Sequence, residues 1–145
     1  MRLIVPATLA LVLAASAAGV AGAKAPSNAT VVVNHTWAAD QSEGQKVLAW
    51  VSMHAPRFPP LSGSGVVSVE TVQHFPLTQR TPPAPPGGLP DSGYPGEVYS
   101  VENTLPDGTM QSWTFQWTEP STGHGGGWEM TGYSYKKGDD PLNIQ

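Results

Sequence analysis

The residue types best suited to catalysis lie together near the C-terminus of the chain. His124 precedes three consecutive glycines at 125–127, and carboxylates stand on either side at Glu119 and Glu129. Glycines let backbone N–H groups approach a developing oxyanion, and a histidine with a carboxylate can transfer protons. This pattern indicates one alternative function, a small hydrolase that uses His124 with Glu119 or Glu129.

The surrounding sequence favours a structural role for these glycines. The run resembles the oxyanion-hole loop of α/β-hydrolase lipases and esterases, but that fold also needs a G-x-S-x-G nucleophile turn, which this chain lacks. The nearest serine candidate, Gly63-Ser64-Gly65, lies upstream and is too short. We interpret residues 119–127 as a glycine-rich hairpin loop. We assign no catalytic residue, and we favour a non-catalytic protein while leaving catalysis open.

Metal and cofactor chemistry finds little support in the sequence. The four histidines are scattered along the chain, at positions 35, 54, 74 and 124, and no metal motif has that spacing. Asp139 and Asp140 have no calcium-binding loop around them. The absence of cysteine excludes disulfides, thiolate metal sites and a cysteine nucleophile. We expect no metal and no cofactor.

The aromatic residues provide the best candidates for a binding site. Trp117 and Trp128 are predicted to lie at strand ends beside the 119–127 loop, with Glu97 across from Trp117 and His124 within the loop. Aromatic rings at such an edge can contact a ligand through their flat faces while a carboxylate accepts hydrogen bonds. We therefore predict Trp117, Trp128, Glu97 and His124 as binding residues for an envelope protein or a glycan. Trp113 and Phe115 lie mid-strand and are predicted to form the core.

Three alternating segments between Tyr99 and Tyr135 would position these residues. The turn Pro106-Asp107-Gly108 predicts a hairpin in which Leu105 pairs with Thr109. The same register places Tyr99 opposite Phe115 and Val101 opposite Trp113. Pairing of Thr118 with Gly127 then places Trp128 opposite Trp117, Met130 opposite Phe115 and Gly132 opposite Trp113. The pattern predicts a three-stranded antiparallel meander with one apolar and one polar face.

The whole chain is predicted to be all-β, with about six antiparallel strands in a small sandwich or open barrel. The predicted strands lie near 30–37, 46–54, 65–75, 97–104, 109–118 and 128–136. The aromatic face of the meander is expected to pack on the valine-rich N-terminal strands. The segment 46–54 is ambiguous, because a short apolar run also fits a helix. An α+β domain with a helix near 41–54 is the alternative.

The two ends and the composition indicate an exported protein. Residues 1–23 have the features of a signal peptide, with an apolar run that ends at Ala21-Gly22-Ala23. Residues 24–145 would form a single exported β domain, with a loop rich in proline and glycine at 81–96. A cysteine-free exported chain suits a bacterial periplasm or the bacterial exterior.

The charge excludes two classes of partner. The formal net charge is −4, and neither a basic stripe nor a basic amphipathic helix is present. We expect no nucleic acid and no membrane insertion after signal cleavage. The leading hypothesis is a non-catalytic exported domain that binds a protein partner or a glycan in the cell envelope or outside the cell. A structural envelope protein without a small ligand is a further alternative.

Overall fold

The computed structural model describes residues 28–76, 89–120 and 125–139. The predicted signal peptide at 1–23 and residues 81–88 of the predicted loop lie outside these residues. The chain is mostly β, as the sequence predicts, with five antiparallel strands in one open sheet and one short helix. The elements are β1 (Asn28–Ala38), α1 (Ser42–His54), β2 (Val66–Pro76), β3 (Val98–Thr104), β4 (Met110–Thr118) and β5 (Gly127–Lys136).

The sheet has the simplest topology that five strands allow. Each strand pairs with its neighbour in sequence, in the order β1-β2-β3-β4-β5. The antiparallel connection from β1 to β2 contains α1. Within the described ranges, no helix has both the length and the hydrophobicity that crossing a bilayer requires.

The segment predicted as a strand at 46–54 is a helix, as the alternative interpretation proposed. The buried residues of α1 are Gly44, Val47, Trp50 and Val51. Their spacing of three and four residues places them on one helical face, whereas a strand would bury every second residue. Glu43 lies in the first turn, where a carboxylate interacts favourably with the helix dipole. Helical burial of this face against the sheet therefore determines the local structure.

Gly44 allows α1 to begin directly beside the end of β1. A Cβ atom at this position would overlap the carbonyl oxygen of Ala38 and lie close to the Cα of Ala39. Ala39 is itself fully buried. The close approach of the two backbones thus requires a residue without a side chain at position 44.

The predicted meander is confirmed, with one correction in β5. Tyr99 pairs with Phe115, Val101 with Trp113, and Trp117 with Trp128, as expected. A register shift between Thr114 and Phe115 leaves Thr131 as an extra residue of β5.

The expected pairing of Gly132 with Trp113 is therefore wrong. Tyr133 lies opposite Trp113 instead, and its ring stacks on Phe58 with centroids 4.3 Å apart. A β-bulge returns a large aromatic side chain to the apolar face, and alternation alone cannot reveal it.

The core lies between α1 and the aromatic face of the sheet. Trp50 contacts Tyr99 and Phe115 in edge-to-face geometry, with centroid distances of 5.1 and 4.8 Å. The aromatic face thus packs on α1, while the valine-rich strands β1 and β2 extend the same sheet. Eleven buried hydrophobic side chains form one cluster: Ala39, Val47, Trp50, Val51, Ala55, Val67, Val69, Tyr99, Val101, Trp113 and Phe115.

Tyr99 carries a buried hydroxyl that has no hydrogen-bond partner among the described residues. An unpaired buried polar group costs about 1–3 kcal/mol. We therefore expect Tyr99→Phe to raise the free energy of unfolding at pH 7 by about 1 kcal/mol. Urea denaturation of both proteins measures the difference. A less stable variant at pH 7 would show that the hydroxyl has a partner.

The same residue predicts a difference at alkaline pH. Burial raises the pKa of Tyr99 above its ordinary value of 10.0. The folded protein therefore keeps the neutral phenol while the unfolded chain ionises above pH 10. Ionisation of Tyr99 in the unfolded chain does not affect the free energy of unfolding below pH 10, and it lowers that free energy progressively as the pH rises above 10. The advantage of Tyr99→Phe over the unaltered protein should grow over that range.

Candidate binding surface

The structure brings three of the four predicted site residues together at one end of the sheet. The rings of Trp117 and Trp128 meet edge to face, with centroids 5.5 Å apart. Glu97 lies directly before β3, and its carbonyl oxygen accepts a hydrogen bond of 2.9 Å from the Trp117 backbone N–H. We call Trp117, Trp128 and Glu97 the tryptophan end. The fourth predicted residue, His124, lies outside the described residues.

The carboxylate of Glu97 is buried and has partners for both oxygens. Its residue is only 2% exposed. Oε1 accepts a hydrogen bond from Gln73 Nε2, and Oε2 accepts one from the backbone N–H of Tyr94, each at 2.9 Å. Both oxygens are thus used to join β2 to the segment that enters β3. Both oxygens have partners within the protein, so no ligand is needed to explain the position of Glu97.

Trp128 holds the described part of the proline-rich loop. Its Nε1 donates a hydrogen bond of 3.2 Å to the carbonyl oxygen of Pro90. Pro90 is buried, and Leu89 packs against the core cluster. Residues 89–96 contain no helix or strand, as the composition predicts, and their first two residues pack into the protein. The polar edge of Trp128 is therefore engaged within the protein.

The ring of Trp117 lies against two glycines. A Cβ atom at Gly93 would lie 2.9 Å from the side chain of Trp117, and one at Gly126 would overlap its indole ring. Gly125 has a φ of +72°, a backbone conformation that side chains disfavour. These two needs, close packing and a left-handed turn, account for glycine at 125 and 126. They support the structural interpretation of the glycine run.

The carboxylates proposed for the hydrolase alternative are exposed. Glu119 follows the end of β4, and Glu129 pairs with Gln116 on the side of the sheet away from α1. His124, which that alternative requires, lies outside the described residues. Across the described ranges, no group of three or more histidine, aspartate or glutamate side chains converges on a point where a metal ion could bind.

The sheet face opposite α1 is a surface that sequence reasoning recognised only in part. We call it the open face. Two neighbouring rows of polar side chains cross it from strand to strand. The first row is Asn34, Glu70, Ser100 and Thr114, and the second is Thr36, Ser68, Glu102, Ser112 and Ser134.

These rows surround a partly open cavity of about 420 Å³. Adjacent strands lie about 4.8 Å apart, so the first row extends over roughly 14 Å. The cavity is lined by short hydroxyl, amide and carboxylate side chains from the two rows, together with His35, Val69, Val101 and Trp113. A neighbouring molecule can therefore approach this surface closely.

Much of the hydrogen-bonding capacity in the first row is unused. Among the described residues, the side chains of Asn34, Glu70 and Ser100 make no hydrogen bond. The second row is partly paired within itself, through Thr36 with Ser68 at 3.2 Å and Ser112 with Ser134 at 2.8 Å. Free donors and acceptors on a surface without a covering element are available to a ligand.

The acidic and the apolar residues of the open face also occupy regular positions on neighbouring strands. Glu70 and Glu102 lie diagonally on β2 and β3, within the two polar rows. A parallel row of valines follows on one side of them, formed by Val32, Val72 and Val98. The surface therefore combines acidic groups with a narrow apolar border.

The sequence predicted the polar side of the meander but missed β1 and β2 as part of the same surface. Ser100, Glu102, Ser112 and Thr114 follow from the alternation of β3 and β4. Asn34 and Glu70 join them only because β1 and β2 extend the same sheet after the chain passes through α1. No local pattern reports that pairing.

No protein-family model matches this chain, and neither does any curated protein or solved structure.

Proposed function

We propose that the protein is an exported, non-catalytic binding domain that uses its open face to bind a protein partner carrying basic groups. The observation that supports this most is the pair of polar rows. They place hydrogen-bonding groups and two acidic side chains on a sheet face that no described element covers. The Ala21-Gly22-Ala23 pattern supports export, and the absence of cysteine supports the bacterial envelope or exterior as the site of action.

The chemistry of the open face defines the partner. Glu70 and Glu102 accept hydrogen bonds from cationic groups, and lysine or arginine side chains on the partner would supply them. The valine row formed by Val32, Val72 and Val98 buries apolar surface next to these polar contacts. A partner with basic residues beside aliphatic ones complements both features.

The geometry of the open face favours a glycan less than a protein partner. The strand positions on the open face hold no tryptophan, tyrosine or phenylalanine, whereas the aromatic rings of β3, β4 and β5 lie on the side of α1. A sugar on the open face would therefore have hydrogen bonds but no aromatic ring to stack on. The rings of the tryptophan end, which would suit a sugar, pack against glycines and the 89–96 segment.

A purely structural envelope protein is the remaining alternative. In that role the open face would have no occupant, and the free groups of Asn34, Glu70 and Ser100 would be hydrated. The two roles differ in one respect that can be measured. A binding protein has its open face covered in the cell, and a purely structural one does not.

Single-cysteine labelling tests this difference. Because the chain contains no native cysteine, each variant carries a single reactive thiol. Ser100→Cys places a thiol at the centre of the open face, and Ala49→Cys places a matched thiol on the exposed side of α1. We expect a small maleimide to modify both purified variants. In intact cells that export the protein, modification at position 100 should slow several-fold, while position 49 should react as before.

Two outcomes would contradict the proposal. Equal labelling of position 100 in cells and in purified protein would show that the open face is uncovered, as the structural alternative expects. Protection at position 49 alone would place the partner on the α1 side. In each case, unchanged urea midpoints of the two variants would establish that both proteins are folded.

A further inference from the structure

Residues 58–61, Phe-Pro-Pro-Leu, cross the sheet on the same side as α1, between the end of α1 and the start of β2. We call them the strap. They belong to no helix or strand. They lie on four side chains that we call the strap groove: Tyr133 of β5, Trp113 and Gln111 of β4, and Asn103 of β3. The strap therefore crosses three neighbouring strands in turn.

The strap groove holds the strap through its backbone groups. Trp113 Nε1 donates a hydrogen bond of 2.9 Å to the carbonyl oxygen of Phe58. The side-chain amide of Gln111 holds two groups at once. Its Nε2 donates to the carbonyl oxygen of Pro59 at 3.3 Å, and its Oε1 accepts from the backbone N–H of Leu61 at 2.7 Å. A separate peptide could make the same contacts, because none of them depends on the covalent connection of the strap to the sheet.

The sequence of the strap suits this kind of binding. Pro59 and Pro60 favour an extended chain and carry no backbone N–H that would need a partner. The ring of Phe58 stacks on Tyr133, with centroids 4.3 Å apart and an interplanar angle of 23°. An extended proline segment on a groove lined by aromatic rings is a recurring mode of peptide recognition. The strap thus resembles a bound ligand that belongs to the same chain.

One buried group of the strap groove is not used by the strap. Asn103 is 1% exposed, and its Nδ2 donates a hydrogen bond of 3.1 Å to the carbonyl oxygen of Leu61. Its Oδ1 is buried and has no partner among the described residues. Gln111, directly opposite on β4, uses both ends of its amide, on strap groups two residues apart. The same pairing at Asn103 would need a backbone N–H at position 63.

The connection to β2 accounts for this missing hydrogen bond. The carbonyl oxygen of Gly65 accepts a hydrogen bond of 2.8 Å from the backbone N–H of Ala39. A Cβ atom at Gly65 would overlap the carbonyl oxygen of Thr104, so the backbone is held closely at this point. Only three residues, 62–64, separate Leu61 from this anchor. A separate peptide has no such constraint and can continue along Asn103.

We propose that the strap groove is a binding site for extended peptides that contain two consecutive prolines, and that the strap occupies it as an autoinhibitory segment. The ligand has an aromatic residue before the prolines, an aliphatic residue after them, and a non-proline residue two positions further on. An empty groove would leave the buried indole N–H of Trp113 unpaired, so the strap and the ligand replace each other. The site lies on the opposite side of the sheet from the open face and goes beyond the proposed function.

Titration of the isotope-labelled protein with the peptide RFPPLSGS, the sequence of residues 57–64, tests the proposal. The readout is the indole N–H resonance of Trp113. The strap competes at a high effective concentration, so binding to the unaltered protein should be weak. Phe58→Ala removes the stacking of the strap and should raise the affinity about tenfold. Pro59→Gly favours the released strap by entropy and should raise it several-fold.

Three controls define the contacts. Arg57→Ala changes an exposed side chain next to the strap and should leave the affinity as in the unaltered protein. A peptide with alanine in place of phenylalanine should bind about tenfold more weakly. N-methylation of the glycine that corresponds to Gly63 removes the N–H offered to Asn103 and should weaken binding about fivefold. Urea midpoints show which variants are folded, and Pro59→Gly provides the test if Phe58→Ala does not fold.

Three results would overturn the proposal. The first is no peptide binding by the folded strap variants. The second is equal affinity for the unaltered protein and these variants, because the strap would then not compete for the site. The third is binding that leaves the Trp113 indole resonance in place, since the peptide would then lie elsewhere. Equal binding of the N-methylated peptide would contradict the pairing assigned to Asn103.

Discussion

Phe115→Ala is expected to lower the free energy of unfolding by about 3–5 kcal/mol, the usual cost of truncating a buried phenylalanine. Phe115 is fully buried in the centre of β4. Its ring contacts Trp50 edge to face, and Tyr99 and Met130 lie opposite it on the neighbouring strands. Small domains have a total stability of about 5–15 kcal/mol, so this loss removes a large fraction of it.

Gln116→Ala is the matched control for this experiment. Gln116 is the next residue of β4 and lies on the open face, where the side chain is only partly buried. Its truncation should cost about 1 kcal/mol or less, the range of intrinsic strand preferences. Urea denaturation with an unchanged m-value would measure both losses. Equal, small losses for the two variants would show that α1 does not cover the aromatic face.

Trp50→Ala is expected to cost a similar amount, about 3–5 kcal/mol, because it removes the aromatic contacts between α1 and the sheet. Trp50 is 5% exposed. Its indole ring lies within 6.3 Å of the ring centroids of Tyr99, Phe115 and Trp128. Without this ring, α1 loses its anchor across three strands, and a cavity remains above β3 and β4.

Met53→Ala tests whether the loss arises from packing or from helix formation. Met53 belongs to the same helix but is 70% exposed, so its truncation should change the free energy of unfolding by no more than about 0.5 kcal/mol. Because Trp50 and Phe115 are in contact, the double variant should lose less than the sum of the two single losses. Strict additivity would contradict their contact.

The C-terminal meander could be predicted because two independent signals agree. The turn Pro106-Asp107-Gly108 determines where β3 and β4 pair, and the alternation of Trp113, Phe115 and Trp117 determines which face is apolar. An error of one residue would have placed the aromatic rings in solvent. The register was therefore strongly determined along this part of the chain.

The helix α1 and the bulge at Thr131 were harder to predict from the sequence, for physical reasons. An apolar run of about ten residues has no local property that distinguishes a buried strand from a helix, and the face available on the sheet decides. The bulge at Thr131 is favoured because it brings Tyr133 next to Trp113 and Phe58. Both features depend on packing partners distant in sequence.

The candidate site shows a similar division. The sequence correctly brought Trp117, Trp128 and Glu97 together, because their positions follow from the strand register. It could not show that Gly126 lies against Trp117, or that both carboxylate oxygens of Glu97 are bonded within the protein. The open face extends over β1 and β2 because these two strands pair, although α1 separates them in the sequence. A surface assembled from distant strands is visible only in three dimensions.

Photo-crosslinking from the centre of the open face is the most direct test of the proposed binding function. A benzoylphenylalanine at position 100 would be irradiated in cells that export the protein, with the same residue at position 49 on α1 as the control. We predict a discrete protein adduct from position 100 and none from position 49. An adduct from position 49, or from position 128 at the tryptophan end, with none from position 100 would contradict the assignment of the open face.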